Sequence, residues 1–310
     1  MMQTVHSLAE LGDLRRPVHW AMGFFDGVHV GHQRVIRSAD TRGALRGVLT
    51  FAQHPLALLC AEKQPLLLTP EPWHKAALIE HLGGADVLLV LPFTPQLADM
   101  SPTAFLEALG SACPLAGVSV GANWRFGKGG CGTAELLRAE GARRGFRTCV
   151  CDLAEQGGDT VCSSRIRAAV SAGQLAEAEL LLGRPFALAG VVEHGQHLAR
   201  RLGFPTANVA LSPRAVLPPF GVYHVSCCVG GATLHGIANI GLRPTVDETV
   251  KIPRLEVHFP HWQGDLYGRP LTVNLLHFLR PERTFASLDE LKEQVLRDLD
   301  SLETLLPYPS

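Results

Sequence analysis

The chain has 310 residues, 46% of them hydrophobic and 18% charged, with a formal net charge of −1. That balance excludes a disordered chain, allows about two domains with real cores, and gives no electrostatic reason to expect nucleic acid or an anionic membrane as partner. No apolar run approaches the roughly 18 residues of a membrane span, and Met1–Arg16 lacks the apolar core of a secretory leader, so a cytoplasmic protein with no nucleic-acid or membrane partner is expected. Eight cysteines form no C-x-x-C pair; they read as small buried thiols in a reducing compartment, not as a zinc site or disulfide framework.

In chain order, Val18, Trp20, Ala21 and Met22 predict a strand. It runs into Gly23-Phe24-Phe25-Asp26-Gly27-Val28-His29-Val30-Gly31-His32, after which Gln33–Ala39 is helix-compatible. Strand, glycine turn, two histidines and helix put backbone amides and imidazoles beside a helix N-terminus, where phosphate binds. Taken alone, two histidines at i and i+3 also suit a partial metal site without a third ligand, or loop imidazoles satisfied by backbone.

Gly47–Phe51 reads as a buried strand, Pro72–Leu82 as a helix and Asp86–Leu91 as a strand. Ser101–Leu109 reads as a helix capped by Ser101 with Pro102 at its first position. Val118–Gly121 is a short strand before Gly121-Ala122-Asn123-Trp124-Arg125-Phe126-Gly127, a loop that sets polar groups beside aromatic ones. A helix over Gly132–Arg144, a strand over Arg147–Leu153 and two short helices within Ser163–Gly183, broken near Gly173, complete an alternating α/β pattern. Ser163-Ser164-Arg165-Ile166-Arg167 places two hydroxyls and two cations in the first turn of a helix. Cations there oppose the macrodipole, and an anionic ligand such as a triphosphate would account for them. The alternative is a capping Ser163 with solvated arginines, chiefly Arg165.

At Gly183-Arg184-Pro185 the texture changes to short alternating runs with glycine and proline punctuation, which predicts β-structure; domains of 1–182 and 183–310 are expected. Leu202-Gly203-Phe204-Pro205-Thr206-Ala207-Asn208 follows a loop holding Gly195, Arg200 and Arg201. Bare Pro-Thr-Ala-Asn is a turn, yet Thr206 and Asn208 can bind one hard cation from the same side of an extended segment. Glu256 alternates with Leu255 and Val257 and faces away from them; a solvated strand carboxylate is the plain alternative. A last helix has Ser287 and Glu290 as a capping box, with Leu288, Leu291, Val295, Leu299 and Leu302 on one face.

The pattern G-x-F-D-G-V-H-x-G-H (Gly23–His32), the loop Gly121–Gly127 and the segment Ser163–Arg167 resemble the adenylyltransferase module of the prokaryotic bifunctional riboflavin kinase/FMN adenylyltransferase (FAD synthetase) family. The series Gly203–Asn208, Gly221–Tyr223, Asn239–Thr245, Leu255–His258, Asp265–Gly268 and Phe278–Arg280 resembles its riboflavin kinase module, so the likeness covers nearly the whole chain. It implies a doubly wound, Rossmann-like parallel-sheet nucleotidyltransferase domain with its site at the strand carboxyl ends, and a Greek-key β-barrel with a terminal helix.

The resemblance further implies phosphorylation of riboflavin to FMN by ATP with Mg²⁺, then adenylylation of FMN to FAD with loss of pyrophosphate. His29 and His32 would act in adenylyl transfer, with Gly23, Phe24, Asp26, Gly31, Ser163, Ser164 and Arg167 on nucleotide phosphate and Asn123 and Arg125 on flavin. An FMN phosphate is already an anion, so that half needs charge stabilisation but no base. In the kinase half, Thr206 and Asn208 would hold Mg²⁺-ATP, Gly195 and Gly203 would approach the nucleotide, Arg280 would contact flavin, and Glu256 would be the base for the neutral flavin hydroxyl. Ser164 departs from the usual Thr, Gln53 from a usual Pro, and Ala199 from a usual Gly. The last leaves open a chain that keeps only one activity. A related nucleotidyltransferase with an unrelated β-domain and a non-enzymatic flavin-binding regulator are the other readings. No oligomeric state is implied.

Overall fold

A computed structural model of the chain describes residues 1–39, 42–194, 203–243, 252–260 and 262–305. Its contacts divide it into two compact units, 1–66 with 72–163 and 67–71 with 164–310.

In the first unit, strands β1 (Gln3–Val5), β2 (Val18–Met22), β3 (Leu45–Phe51), β4 (Val87–Leu91), β5 (Leu115–Gly121) and β6 (Arg147–Cys151) form one sheet in the order β1-β4-β3-β2-β5-β6. Every pairing is parallel, as strand–helix alternation requires. Strand β2 is buried along its whole length, so both sheet faces are covered. Trp20 and Met22 pack on one face with Phe105, Leu106 and Leu109 of the Pro102–Ala112 helix and Leu137 of the Ala134–Arg144 helix. Ala21 packs on the other with Val35 and Ile36 of the Val30–Arg37 helix and with Ile79. Gly47 makes room for this arrangement, since a Cβ there would stand 2.4 Å from the Trp20 ring. The chain crosses from β4 on one flank of β2 to β5 on the other, so the order reverses at the β2/β5 crevice, where such sheets bind ligands.

The Ser101 hydroxyl caps its helix by accepting from Ala104 N–H, with Pro102 at the first turn. The first helix begins earlier than its apolar pattern suggests, at Val30, because the His29 imidazole serves as its cap. The strand expected over Val118–Gly121 starts three residues sooner, at Leu115. The helix expected over 72–82 is α-helical to Leu78 and then widens to a π turn over Ile79–Gly83.

The main segment of the second unit begins within the Ser163–Ser171 helix, at Ser164, and Gly173 at φ 74° separates that helix from the next, Leu175–Leu182. Strands β9 (Ala187–Glu193), β10 (Ala207–Leu211), β11 (Gly221–Val229), β12 (Ala232–Arg243), β13 (Ile252–His258) and β14 (Pro270–Pro281) close a barrel in the order β10-β13-β12-β11-β14-β9. All its pairings are antiparallel. (Strands β7, Glu155–Gln156, and β8, Asp159–Thr160, make a small hairpin in the first unit.) The Leu288–Leu305 helix seats Leu302, Leu299 and Val295 against Val222 and Ile237. Leu288, expected on that face, is exposed. The Ser287 hydroxyl accepts from Glu290 N–H at 3.2 Å, but the Glu290 carboxylate reaches back to Ala286 N–H, one residue before the expected partner.

All eight cysteines are free thiols; Cys113 and Cys227 are buried, whereas Cys131 and Cys228 are exposed, against the expectation of uniformly buried thiols. Among the described residues no helix is long and apolar enough to cross a membrane.

Candidate functional sites

The chain leaves β2 through Gly23–Val28 in an unusual backbone. Phe25 and the β-branched Val28 have φ of 56° and 41°, with Gly27 at 80°. Such left-handed residues cost on the order of 1–3 kcal/mol each and persist only where their surroundings fix them. Here the surroundings do. Phe25 and Val28 are buried. Thr50 Oγ1 donates to Phe24 O at 2.9 Å, Ser163 Oγ to Asp26 O at 3.0 Å and Gln33 Nε2 to Val28 O at 3.0 Å. Lys75 Nζ lies 3.4 Å from both Phe24 O and Phe51 O and 4.3 Å from the centre of the Phe24 ring. Two of the turn's N–H groups are held as well, Gly23 N–H donating to Leu49 O at 3.1 Å and Val28 N–H to Phe25 O at 3.2 Å.

A cavity of about 270 Å³ opens at the carboxyl ends of β2, β5 and β6. Gly23, Phe24, His29, Gly31, His32, Asn123 and Ser163 line it, together with Trp124 and residues 152–154. The His29 and His32 rings stack with centroids 3.5 Å apart, and His29 Nδ1 accepts from His32 N–H. His32 Nδ1 is buried and has no hydrogen-bond partner. Burial, then the neighbouring His29 and Lys75, hold its pKa well below the usual imidazole value. The ring is therefore neutral at pH 7 and keeps one buried polar nitrogen unsatisfied within the protein.

Asp26 is buried but does not line the cavity. Arg125 is exposed and away from it, while Trp124 of the same loop stacks on Phe126 at 4.6 Å. Ser164 and Arg167 lie in the helix that Ser163 begins, where Arg167 Nη2 donates to Ser164 Oγ at 3.2 Å. Arg165 is ion-paired with Glu177 at 2.9 Å, not solvated. Gln53 donates to Phe93 O at 2.9 Å.

The barrel carries two cavities that share a wall. One, of about 280 Å³, holds Glu256 and Arg280 among the apolar groups Phe204, Val222, Ile237, Phe285, Leu291 and Val295. The other, of about 510 Å³, is bounded by Trp262, Asp265, Leu266 and Tyr267. Thr206 and Asn208 line both. Pairing of β10, β13 and β12 sets Asn208, Glu256 and Asn239 in one cross-strand row, on the face opposite the buried Leu255 and Val257. The Arg280 guanidinium is engaged by Asp298 of the terminal helix, Nη2 to Oδ2 at 2.8 Å and Nε to both oxygens at 3.1 Å. Gly203, at φ 93°, lies outside both linings. Gly195, Ala199, Arg200, Arg201, Pro244 and Thr245 lie outside the described residues.

Three participants were not read from the sequence. Lys75 is a lysine inside a helix otherwise set against the sheet, and its burial pulls its pKa from 10.5 down to about 8, with Asp26 opposing the shift. Asp298 sits between apolar positions Val295 and Leu302 of the terminal helix, a polar residue on a core face. Arg254 stands two residues before Glu256, on the same strand face.

A riboflavin kinase family model matches residues 182–306, and an FAD synthetase model matches residues 13–165. The chain is 38% identical to the bifunctional riboflavin kinase/FMN adenylyltransferase of Pseudomonas fluorescens, covering 98% of both chains. It is 39% identical to the Escherichia coli K12 enzyme of that description, covering 89% of both, and 35% identical to the Bacillus subtilis one, covering 90% of this chain and 89% of that one. A crystal structure described as a macrolide-efflux protein from Streptococcus pneumoniae superposes over 99% of both chains with a TM-score of 0.82 at 27% identity.

Proposed function

The chain belongs to the bifunctional riboflavin kinase/FMN adenylyltransferase family and carries both transferase domains, and we propose how its residues divide the two reactions. The efflux activity named for the Streptococcus pneumoniae structure is not carried over, because both family models and the relatives agree on flavin chemistry. The adenylyltransferase module is assigned to 1–182 and the kinase module to 183–310, in a cytoplasmic setting.

In the kinase module, the observation that carries the reading is the shared wall. Thr206 and Asn208 face both cavities, whereas Glu256 faces only the apolar one. The flavin ring fits the apolar cavity, where its 5'-hydroxyl meets Glu256, and the nucleotide takes the larger cavity. Glu256 accepts the hydroxyl proton as the oxygen attacks the γ-phosphorus and ADP leaves. The donor set fits magnesium. Thr206 Oγ1 and Asn208 Oδ1 are hard oxygens, and Asn208 Oδ1 already accepts N–H bonds from a cationic side chain. When bound there, the ion neutralises phosphate charge. Arg280, held by Asp298, borders the flavin cavity as a fixed cation.

In the adenylyltransferase module, no side chain needs to take a proton, since the attacking FMN phosphate oxygen is anionic. His29 and His32, at the N-terminus of the Val30–Arg37 helix, stand where charge collects on the α-phosphate and the leaving pyrophosphate. His32 Nδ1 supplies an unsatisfied nitrogen for that charge. Asn123 and Trp124 border the same cavity and are assigned to the flavin side.

The test is Thr206→Val. Riboflavin phosphorylation should need more Mg²⁺-ATP while adenylylation of supplied FMN stays unchanged. Equal loss of both would break the allocation.

A further inference from the structure

Arg254 stands opposite Ala210 of β10, and no motif gives it a task. Its Nε donates to Asn208 Oδ1 at 2.9 Å, its Nη2 donates to the same oxygen, and that Nη2 lies 2.6 Å from Glu256 Oε1. One guanidinium thus satisfies both the amide oxygen offered to a metal and the carboxylate offered to a substrate proton. A guanidinium keeps its charge at every working pH. Two cations cannot share one amide oxygen at bonding distance without strong repulsion. A divalent ion reaching Asn208 must therefore break the Arg254 contacts. The side chain is free to swing, because it is 26% exposed while the neighbouring Leu255 anchors the strand in the core.

We propose that Arg254 is a resident cation of the kinase site, occupying at Asn208 the position a magnesium-nucleotide takes and setting the metal concentration at which riboflavin is phosphorylated. Its departure frees two groups at once. Asn208 Oδ1 turns to the incoming ion, and Glu256 loses the hydrogen-bond donor that covers Oε1. The base is therefore bared only when the phosphoryl donor is in place. This inference rests on the assignment of Thr206, Asn208 and Glu256 made above.

The experiment measures Mn²⁺ binding to the full chain in the presence of ADP, by electron paramagnetic resonance of the free ion, for the parent protein, Arg254→Met, Arg254→Gln, Arg254→Lys and Thr206→Val. Removing a charge-assisted competitor should tighten the kinase-site Mn²⁺ class about tenfold in the Met and Gln variants. Arg254→Lys, which keeps the charge, should stay near the parent. The Mg²⁺ dependence of riboflavin phosphorylation should move with it, and adenylylation of supplied FMN should not change. Unchanged or weaker Mn²⁺ binding in well-folded Met and Gln variants overturns the inference. If Thr206→Val leaves Mn²⁺ binding at the parent level, the metal assignment itself fails. If Thr206→Val weakens binding and Arg254→Met does not tighten it, only the role of Arg254 fails.

Discussion

Replacing Lys75 by Met should produce a stability difference that depends on pH in a calculable way. The ammonium is buried against two carbonyl oxygens and the Phe24 ring, and burial lowers its pKa from 10.5 to about 8. A depressed lysine pKa means that between about 8 and 10.5 the unfolded chain holds a proton the folded chain has released. Unfolding free energy therefore rises with pH through that window. The full shift corresponds to about 3.5 kcal/mol at about 1.4 kcal/mol per unit, and about 2.5 kcal/mol of it falls between pH 7 and pH 10. The parent protein should gain that amount relative to Lys75→Met between those two pH values, because every other titrating group is common to both chains. Urea denaturation followed by tryptophan fluorescence reads it, since Trp20, Trp73 and Trp124 belong to the unit that holds Lys75. A stability gap that is the same at pH 7 and pH 10 would refute the claim that Lys75 is buried as a charge beneath the Gly23–Val28 turn.

Other changes should separate the parts of the account. Glu256→Gln should lower riboflavin phosphorylation by about 10²–10⁴-fold, the range for loss of a general base, with FMN adenylylation assayed alongside and unaffected. Asp298→Asn leaves the Arg280 guanidinium without its buried counter-ion; a loss of about 3 kcal/mol in barrel stability is expected, and thermal melts with and without riboflavin would show it. His32, His224 and His258 all have pKa values held below the usual imidazole value, chiefly by burial. In each case the unfolded chain takes up a proton first as pH falls through about 6.5, so stability should drop on acidification below that point. A melting temperature that is flat from pH 7 to pH 5.5 would contradict this.

The architecture was readable because its signals are local. Strand β2 with its glycine turn, the Ser101-Pro102 cap and the Gly173 break each declare themselves within a few residues. The short strands β1 and β7–β8 did not, since segments of two or three residues carry no period. The residues to which metal and base roles are assigned carry a local pattern too: Thr206 and Asn208 alternate on one extended segment, and Glu256 alternates with buried Leu255 and Val257. What the sequence hid was long-range partnership. Lys75 meets Phe24 across 51 positions, and Arg254 meets Asn208 across 46. Nothing in a local pattern distinguishes such cations from solvated ones until the strands are in register. The same reason explains Arg280, whose guanidinium is fixed by Asp298 in the terminal helix.

The central claim is that one chain holds two independent sites, one with a base and one without. Mixing two variants tests it most directly. Glu256→Gln and His32→Ala are each given riboflavin and Mg²⁺-ATP, alone and together, and flavins are separated by chromatography. The expected result is almost no product from the first, FMN without FAD from the second, and FAD from the mixture. FMN formed at the parent rate by Glu256→Gln, or a mixture that stops at FMN, would contradict it.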